Sequence, residues 1–279
     1  MNNTTAMKKT ALILLSLLVL VPALAQNKLS VMSFNIRYGD ANDGTNSWPY
    51  RAGAVVEMIQ DQNPDIFGVQ EALDYQVKFL TEYPGNYKSV GVGRDDGKKK
   101  GEHMSIFYNK KVISLLKWGT FWLSETPDKP SLGWDAACYR TATWALLKDK
   151  RSGKKFYYVN THLDHVGWEA RRKGLALIVD RIDAMNPEGL PMILTGDFNM
   201  TADREEFNDL KERMQDAREI APVTDHSCTY HGWGKVGGDP IDFIFVKGFL
   251  VESYETVRKP YAERNFVSDH YPIKALLVF

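Results

Sequence analysis

Five short segments of this chain end an apolar run on residues able to bind a cation, hold a proton or grip an anion. They are Ser33-Phe34-Asn35-Ile36-Arg37, Gly68-Val69-Gln70-Glu71, Asn160-Thr161-His162-Leu163, Thr195-Gly196-Asp197-Phe198-Asn199 and Ser268-Asp269-His270-Tyr271-Pro272. Rigid strand ends are where binding groups converge, so the recurrence says more than any one segment. Taken singly, each has a plain structural reading: Glu71 as a carboxylate at a helix N-terminus, Asp197 with Asn199 as an Asx turn, Asn35 as a partner of local backbone, His162 as a satisfied core histidine, and Asp269-His270 as a turn before Pro272. Their joint occurrence in this order points instead to a site. Glu71, helped by Asn35 and Asp269, makes a sparse oxygen-donor set of the kind that holds Mg²⁺, with Mn²⁺ as the alternative; such a cation keeps several waters and also binds phosphate. No His-Glu-x-x-His pattern or cysteine cluster argues for zinc. Asp197 and Asn199 are two apart and share one side of a strand-like end.

These residues need a scaffold of strands. Runs of β type, many rich in branched and aromatic residues, recur at 29–36, 66–69, 87–92, 104–108, 141–147, 155–163, 192–198, 241–246 and 273–279. Two amphipathic helices lie between them. Ser47-Trp48-Pro49 supplies a capping residue and an early proline, Ala52, Val55 and Ile59 repeat at helical spacing, and Asn63-Pro64 stops the helix. Trp168, Leu175, Val179 and Ile182 mark the second apolar face, ended by Asn186-Pro187. Strands outnumber helices about two to one. The expected fold is therefore α/β: a four-layered sandwich of two packed mixed β-sheets flanked by helices.

Residues 1–25 carry Lys8 and Lys9, an apolar run and then Ala23-Leu24-Ala25, which reads as a signal peptide too short to span a bilayer. The expected product is a secreted or periplasmic monomer formed by residues 26–279, without a stable membrane anchor. The whole chain balances 35 basic against 35 acidic residues, and loss of residues 1–25 leaves a net charge of −2. That is a poor basis for gripping a long polyanion without sequence preference, so nucleic acid is a disfavoured partner. Lys98, Lys99 and Lys100 read as an exposed loop rather than a nucleic-acid patch. Cys138 and Cys228 could be bridged or free; spacing leaves both open.

The strand-end segments, together with Ile241-Asp242-Phe243-Ile244, resemble the endonuclease/exonuclease/phosphatase (DNase I-like) superfamily across nearly all of residues 26–279. The stretches Asp43-Gly44-Thr45-Asn46-Ser47-Trp48, Trp122-Leu123-Ser124-Glu125-Thr126-Pro127 and Gly133-Trp134-Asp135-Ala136-Ala137-Cys138-Tyr139-Arg140 are similar to a bacterial branch of secreted metal-dependent hydrolases. The resemblance implies hydrolysis of a phosphomonoester or phosphodiester by in-line water attack, which requires charge neutralisation and an aligned water. It implies that Asp197 polarises the water, that Asn199 holds water or phosphate, and that His270, oriented by Asp242, contacts the phosphoryl oxygens. His162 would be paired with Glu102 and joined by Arg140, with His162 the candidate general acid; which histidine protonates the leaving oxygen stays open. Arg140 also reads as a structural ion-pair partner, and His165, Trp168, Arg171, His231 and Trp233 as either a substrate mouth or packing, with Trp168 favoured as core. By branch resemblance alone, Asp43, Asn46 and Trp48 would overhang the site. Two other functions compete: a secreted DNase-like endonuclease, and a catalytically inactive module that binds a phosphorylated ligand. The second is disfavoured because no expected catalytic side chain is missing.

Overall fold

Alternation of side chains sorts this chain into layers. In a computed structural model that describes residues 27–279, β1 (Lys28–Asn35) sends Leu29 and Val31 to one side and Met32 and Phe34 to the other, and nearly all of it is buried. Both faces are apolar because both are covered. The expected signal peptide, residues 1–25, lies outside the described residues.

The strands that follow are β2 (Ile66–Gln70), β3 (Tyr87–Val90), β4 (Ile106–Asn109), β5 (Ile113–Trp122), β6 (Thr141–Asp149), β7 (Lys155–His162), β8 (Met192–Asp197), β9 (Gln215–Asp216), β10 (Asp242–Lys247), β11 (Leu250–Thr256) and β12 (Ile273–Val278). They form two mixed six-stranded sheets, ordered β11-β12-β1-β2-β4-β3 and β5-β6-β7-β8-β10-β9. Leu29, Ile66, Ile106, Tyr158, Ile193, Ile244 and Leu277 fill the core between the sheets. The outer face of the first sheet is covered by α1 (Trp48–Gln62), through Ala52, Val55, Met58 and Ile59. That of the second is covered by α3 (Trp168–Met185), through Leu175, Ile178 and Ile182. The expected four-layered sandwich is the fold observed.

Both helices end where their Asn-Pro signals place the stop: Asn63 takes a left-handed conformation (φ 42°) at the end of α1, and Asn186 caps α3. Some local expectations differ. Ser47 makes no side-chain cap; its hydroxyl instead accepts from Asp43 N and donates to the Ala41 carbonyl. Trp168 is 41% exposed rather than core, because it opens the first turn of α3 before the helix meets the sheet; the Arg172 guanidinium lies 5.4 Å from its ring centroid. Among the elements without a clear sequence signal are the edge strands β5, β9 and β11 and the short helix α2 (Asp74–Glu82). A β-bulge between Leu115 and Lys117 breaks the alternation of β5, and its middle is exposed. Both cysteines are free.

Candidate active site

Strand parity decides where the chemistry goes. Asn35 shares the side of β1 that carries Leu29 and Val31, so it points between the sheets. His162 keeps the parity of Phe156 and Tyr158 in β7, Asp197 that of Ile193 in β8, and Asp242 that of Ile244 in β10. Register then aligns them across three neighbouring strands: His162 opposite Asp197, and Asp197 opposite Asp242. On the facing sheet Asn35 pairs with Gln70, beside Glu71.

Beneath these groups a polar bridge sets the spacing of the sheets. Asn160 donates to the Val69 carbonyl (2.8 Å), while its Oδ1 accepts from Gln70 Nε2 (2.7 Å) and Thr195 Oγ1 (3.1 Å). Glycine at position 68 is what allows this: a Cβ there would lie 2.4 Å from Asn160 Oδ1. Above the bridge, Asn35 ties the two sheets directly, its amide nitrogen 3.0 Å from both Glu71 Oε1 and Asp197 Oδ2. Glu71 leaves β2 with a left-handed backbone (φ 64°), uncommon for a residue with a Cβ. That turn lets its other oxygen accept from Tyr38 N at 2.7 Å. The fully buried Arg51 donates to the carbonyls of Ile36 and Arg37 and so holds the turn after β1.

His270 stands 2.8 Å from Asp242 through Nδ1 and 3.7 Å from Asp197 through Nε2. Burial alone would lower its pKa, but the carboxylates of Asp242, Asp197 and Asp269 outweigh burial and raise it to about 10, so the ring is an imidazolium. Burial first, and the charge of Asp242 next, raise the Asp197 carboxyl above the ordinary aspartate range. His162 behaves oppositely: burial, then the charges of Arg140 and Arg94, push it well below its usual value and keep it neutral. Its Nε2 lies 3.0 Å from the Asn199 amide nitrogen and accepts from it, while Asn199 (φ 50°) also donates to the Leu163 carbonyl.

A cavity of about 450 Å³ opens over these residues, and Glu71, Glu102, Arg140, His162, Asp197, Asn199, Asp269 and His270 line it. Asn35 and Asp242 are buried beside it and hydrogen-bonded to those lining groups. The expected pairing of His162 with Glu102 does not form. Glu102 accepts instead from Arg94 at 2.7 Å, and His162 Nδ1 has no partner among the described residues. Arg140 is an ion-pair partner and also lines the cavity. Its Nε donates to Asp164 (3.1 Å) and its Nη2 lies 2.9 Å from His165, while Nη1 is buried without a partner among the described residues. His231 is buried between Phe266 and Tyr271 and is packing, not mouth. Trp48 is likewise buried in the α1 core, and Asp43 reaches the site only by holding the cavity-lining Arg37 at 2.9 and 3.0 Å. Arg94 and Tyr230, whose ring sits 4.9 Å from His270, had no motif to mark them. A lone arginine in a Gly- and Lys-rich loop has no informative spacing.

The donors fit a hard divalent cation. Glu71 and Asp269 are oxygen donors facing one cavity, and burial together with the charge of Glu71 raises the Asp269 carboxyl; a cation between them would relieve that repulsion. The Asn35 oxygen accepts from Arg37 N and keeps one lone pair for a cation, while its nitrogen is held by the Glu71 and Asp197 carboxylates. Asp197, Asp242 and His270 also present ligand atoms within 4.8 Å of one another, but a protonated His270 turned toward Asp242 cannot ligate.

The sequence profile of the Endonuclease/Exonuclease/phosphatase family matches residues 32–270. A Bacteroides vulgatus endonuclease/exonuclease/phosphatase is 41% identical, with a TM-score of 0.84 over 90% of this chain and 99% of its own. The Bacteroides thetaiotaomicron mannosyl-6-phosphatase Bt3783 is 36% identical, also at 0.84, over 90% of this chain and 100% of its own. Uncharacterized protein L388 of Acanthamoeba polyphaga mimivirus is 32% identical over 177 residues, 61% of this chain and 65% of that protein, so the match spans less than two thirds of its length.

Proposed function

Because the chain belongs to the endonuclease/exonuclease/phosphatase family, whose members are metal-dependent hydrolases of phosphate esters, we propose that it is a secreted Mg²⁺-dependent phosphomonoesterase acting on a phosphorylated sugar. The observation that carries this reading is the convergence of Asp197, Asn199, His162 and His270 on one cavity beside the Glu71–Asp269 carboxylates. Similarity to a mannosyl-6-phosphatase supports the sugar, and the size of the cavity and the balanced charge favour a small ester over bulk nucleic acid.

When bound, the cation would offset phosphoryl charge between Glu71 and Asp269. Asp197, with its raised carboxyl, takes the proton from a water aligned with the phosphorus. His270 offers the Nε2–H of an imidazolium to a phosphoryl oxygen while Asp242 holds the other N–H, and the leaving alkoxide takes its proton from solvent, to which Asp197 in turn gives up the proton it removed from the attacking water. His162 is neutral and fixes the amide of Asn199.

Purified protein with Mg²⁺ should hydrolyse hexose phosphates, lose turnover in EDTA and regain it with added Mg²⁺. Asp197→Ala and His270→Ala should each fall by at least about 10²-fold; undiminished rates in EDTA or in either variant would refute the mechanism. Faster digestion of plasmid DNA than of any sugar phosphate would favour a nuclease. Export rests on the signal pattern of residues 1–25, and a processed N-terminus near Gln26 in the exported fraction checks it.

A further inference from the structure

The loop between β3 and β4 folds back on itself to hold one ion pair over the cavity. Arg94 N bonds to the Glu102 carbonyl, Asp95 N to that of Lys100, and Asp96 Oδ1 accepts from the backbone of Lys98 and Lys100. Trp122 donates from its indole to the Arg94 carbonyl at 2.7 Å. Glycine suits position 101 because its backbone is left-handed (φ 78°), a conformation that strains any residue with a Cβ. The three lysines of this loop are exposed, as expected, and take no part in the cavity.

The ion pair is left with open polar positions. Arg94 Nη1 donates to Glu102 Oε2, while Arg94 Nε is buried 3.8 Å from Asp95 Oδ1 without a hydrogen bond among the described residues. No hydrogen bond reaches Glu102 Oε1 among the described residues. Both side chains line the cavity, and each is close enough to His162 or Arg140 for their charges to interact. The charges on this wall cancel in pairs, Arg94 with Glu102 and Arg140 with Asp164. A second anionic group on the substrate would meet the Glu102 carboxylate and no uncompensated cation. A hydroxyl suits it better: its oxygen accepts from an arginine N–H while its own hydrogen, or that of a neighbouring hydroxyl, goes to the carboxylate.

We propose that Arg94 and Glu102 form the specificity subsite of this enzyme and bind the neutral, hydroxyl-bearing alcohol half of the ester through vicinal hydroxyls. This rests on the phosphomonoesterase reading above and adds how the site tells a sugar from another alcohol. A buried site built to hydrogen-bond a hydroxyl discriminates strongly against an analogue without one, because its own polar groups are then left unpaired.

The test compares mannose 6-phosphate with p-nitrophenyl phosphate, whose leaving group has no hydroxyl neighbours, in wild type, Arg94→Gln and Glu102→Gln. The ratio of kcat/KM for the sugar ester to that for the aryl ester should fall at least about tenfold in both variants, mainly through KM for the sugar ester. Free mannose should inhibit aryl-ester hydrolysis competitively in wild type, and more weakly in both variants. Equal losses on the two esters, with thermal midpoints unchanged, would overturn the subsite, as would unaltered mannose inhibition. Wild type that hydrolyses the aryl ester but neither turns over the sugar ester nor is inhibited by mannose also overturns it, leaving the phosphoesterase standing. Wild type that hydrolyses neither ester refutes the underlying reading.

Discussion

Gly68→Ala tests whether the bridge between the sheets sets the active site. The new methyl would lie 2.4 Å from Asn160 Oδ1, 2.5 Å from its carboxamide carbon and 2.8 Å from Thr195 Oγ1. None of these can yield freely, because Asn160 is fixed by Val69, Gln70 and Thr195, and all four positions are fully buried or lie within a fully buried strand. Overpacking a tight core costs about 1–3 kcal/mol, and a buried polar group deprived of a partner adds about 1–3 kcal/mol. The sum is about 4 kcal/mol, or a fall in Tm on the order of 10 °C for a chain of this size. Urea and thermal unfolding measure it. In an Asn160→Ala background the main obstacle is gone, so the cost of the added methyl should drop by about 2 kcal/mol, a coupling outside the error of a double-mutant cycle. Because the bridge lies directly beneath Asn35 and His162, folded Gly68→Ala should also lose more than tenfold in kcat. A cost below about 1 kcal/mol, or no coupling to Asn160, would refute the claim that close approach at this glycine sets the sheet spacing.

Further outcomes follow from single groups. Burial raises the Asp216 carboxyl to about 6, and its Oδ2 is buried without a partner among the described residues. The folded state therefore binds more protons than the unfolded chain between about pH 4 and 6, so this group's contribution falls as pH rises through that window. Asp216→Asn should then stabilise the protein by about 2 kcal/mol at pH 8 and by almost nothing near pH 4; a difference independent of pH in urea melts would contradict this. Asp164 accepts from Arg140, Ala137, Val166 and Gly167, and despite its burial these backbone bonds and Arg140 hold its carboxyl at about 2. Asp164→Ala should free Arg140 and lower kcat/KM about 10- to 100-fold with either ester; crystallographic order of Arg140 in the variant is the second check. Trp168→Ala, at an exposed position, should move Tm by no more than about 2 °C, and a larger fall would restore the core reading of that ring.

Much of the molecule is written locally. Apolar runs rich in branched and aromatic residues along 29–36, 155–163 and 192–198, together with the Asn-Pro stops at 63–64 and 186–187, are enough to read two buried sheets and two covering helices. Those same strands carry Asn35, His162 and Asp197 at their ends, on the parity of the inter-sheet core. Side-chain period is a property of the backbone itself, so a short stretch of sequence displays it. β5 and β11 escape because a bulge in each, between Leu115 and Lys117 and between Val251 and Ser253, breaks the regular strand pattern.

What the tertiary structure alone decides is who stands next to whom. Nothing near position 102 says that Glu102 pairs with Arg94 rather than His162; a self-bonded loop and Trp122 place that arginine first. Packing of the two sheets closes the 162 positions between Asn35 and Asp197, and it also brings His270, just before β12 of one sheet, against Asp242 at the start of β10 in the other. Side-chain identity and period depend on neighbours in sequence, whereas register, sheet spacing and the partner of a buried charge depend on groups far along the chain. The sequence therefore determined the layered scaffold and the kinds of groups at its strand ends, and packing between distant segments decided how those groups are charged, paired and left open to a substrate.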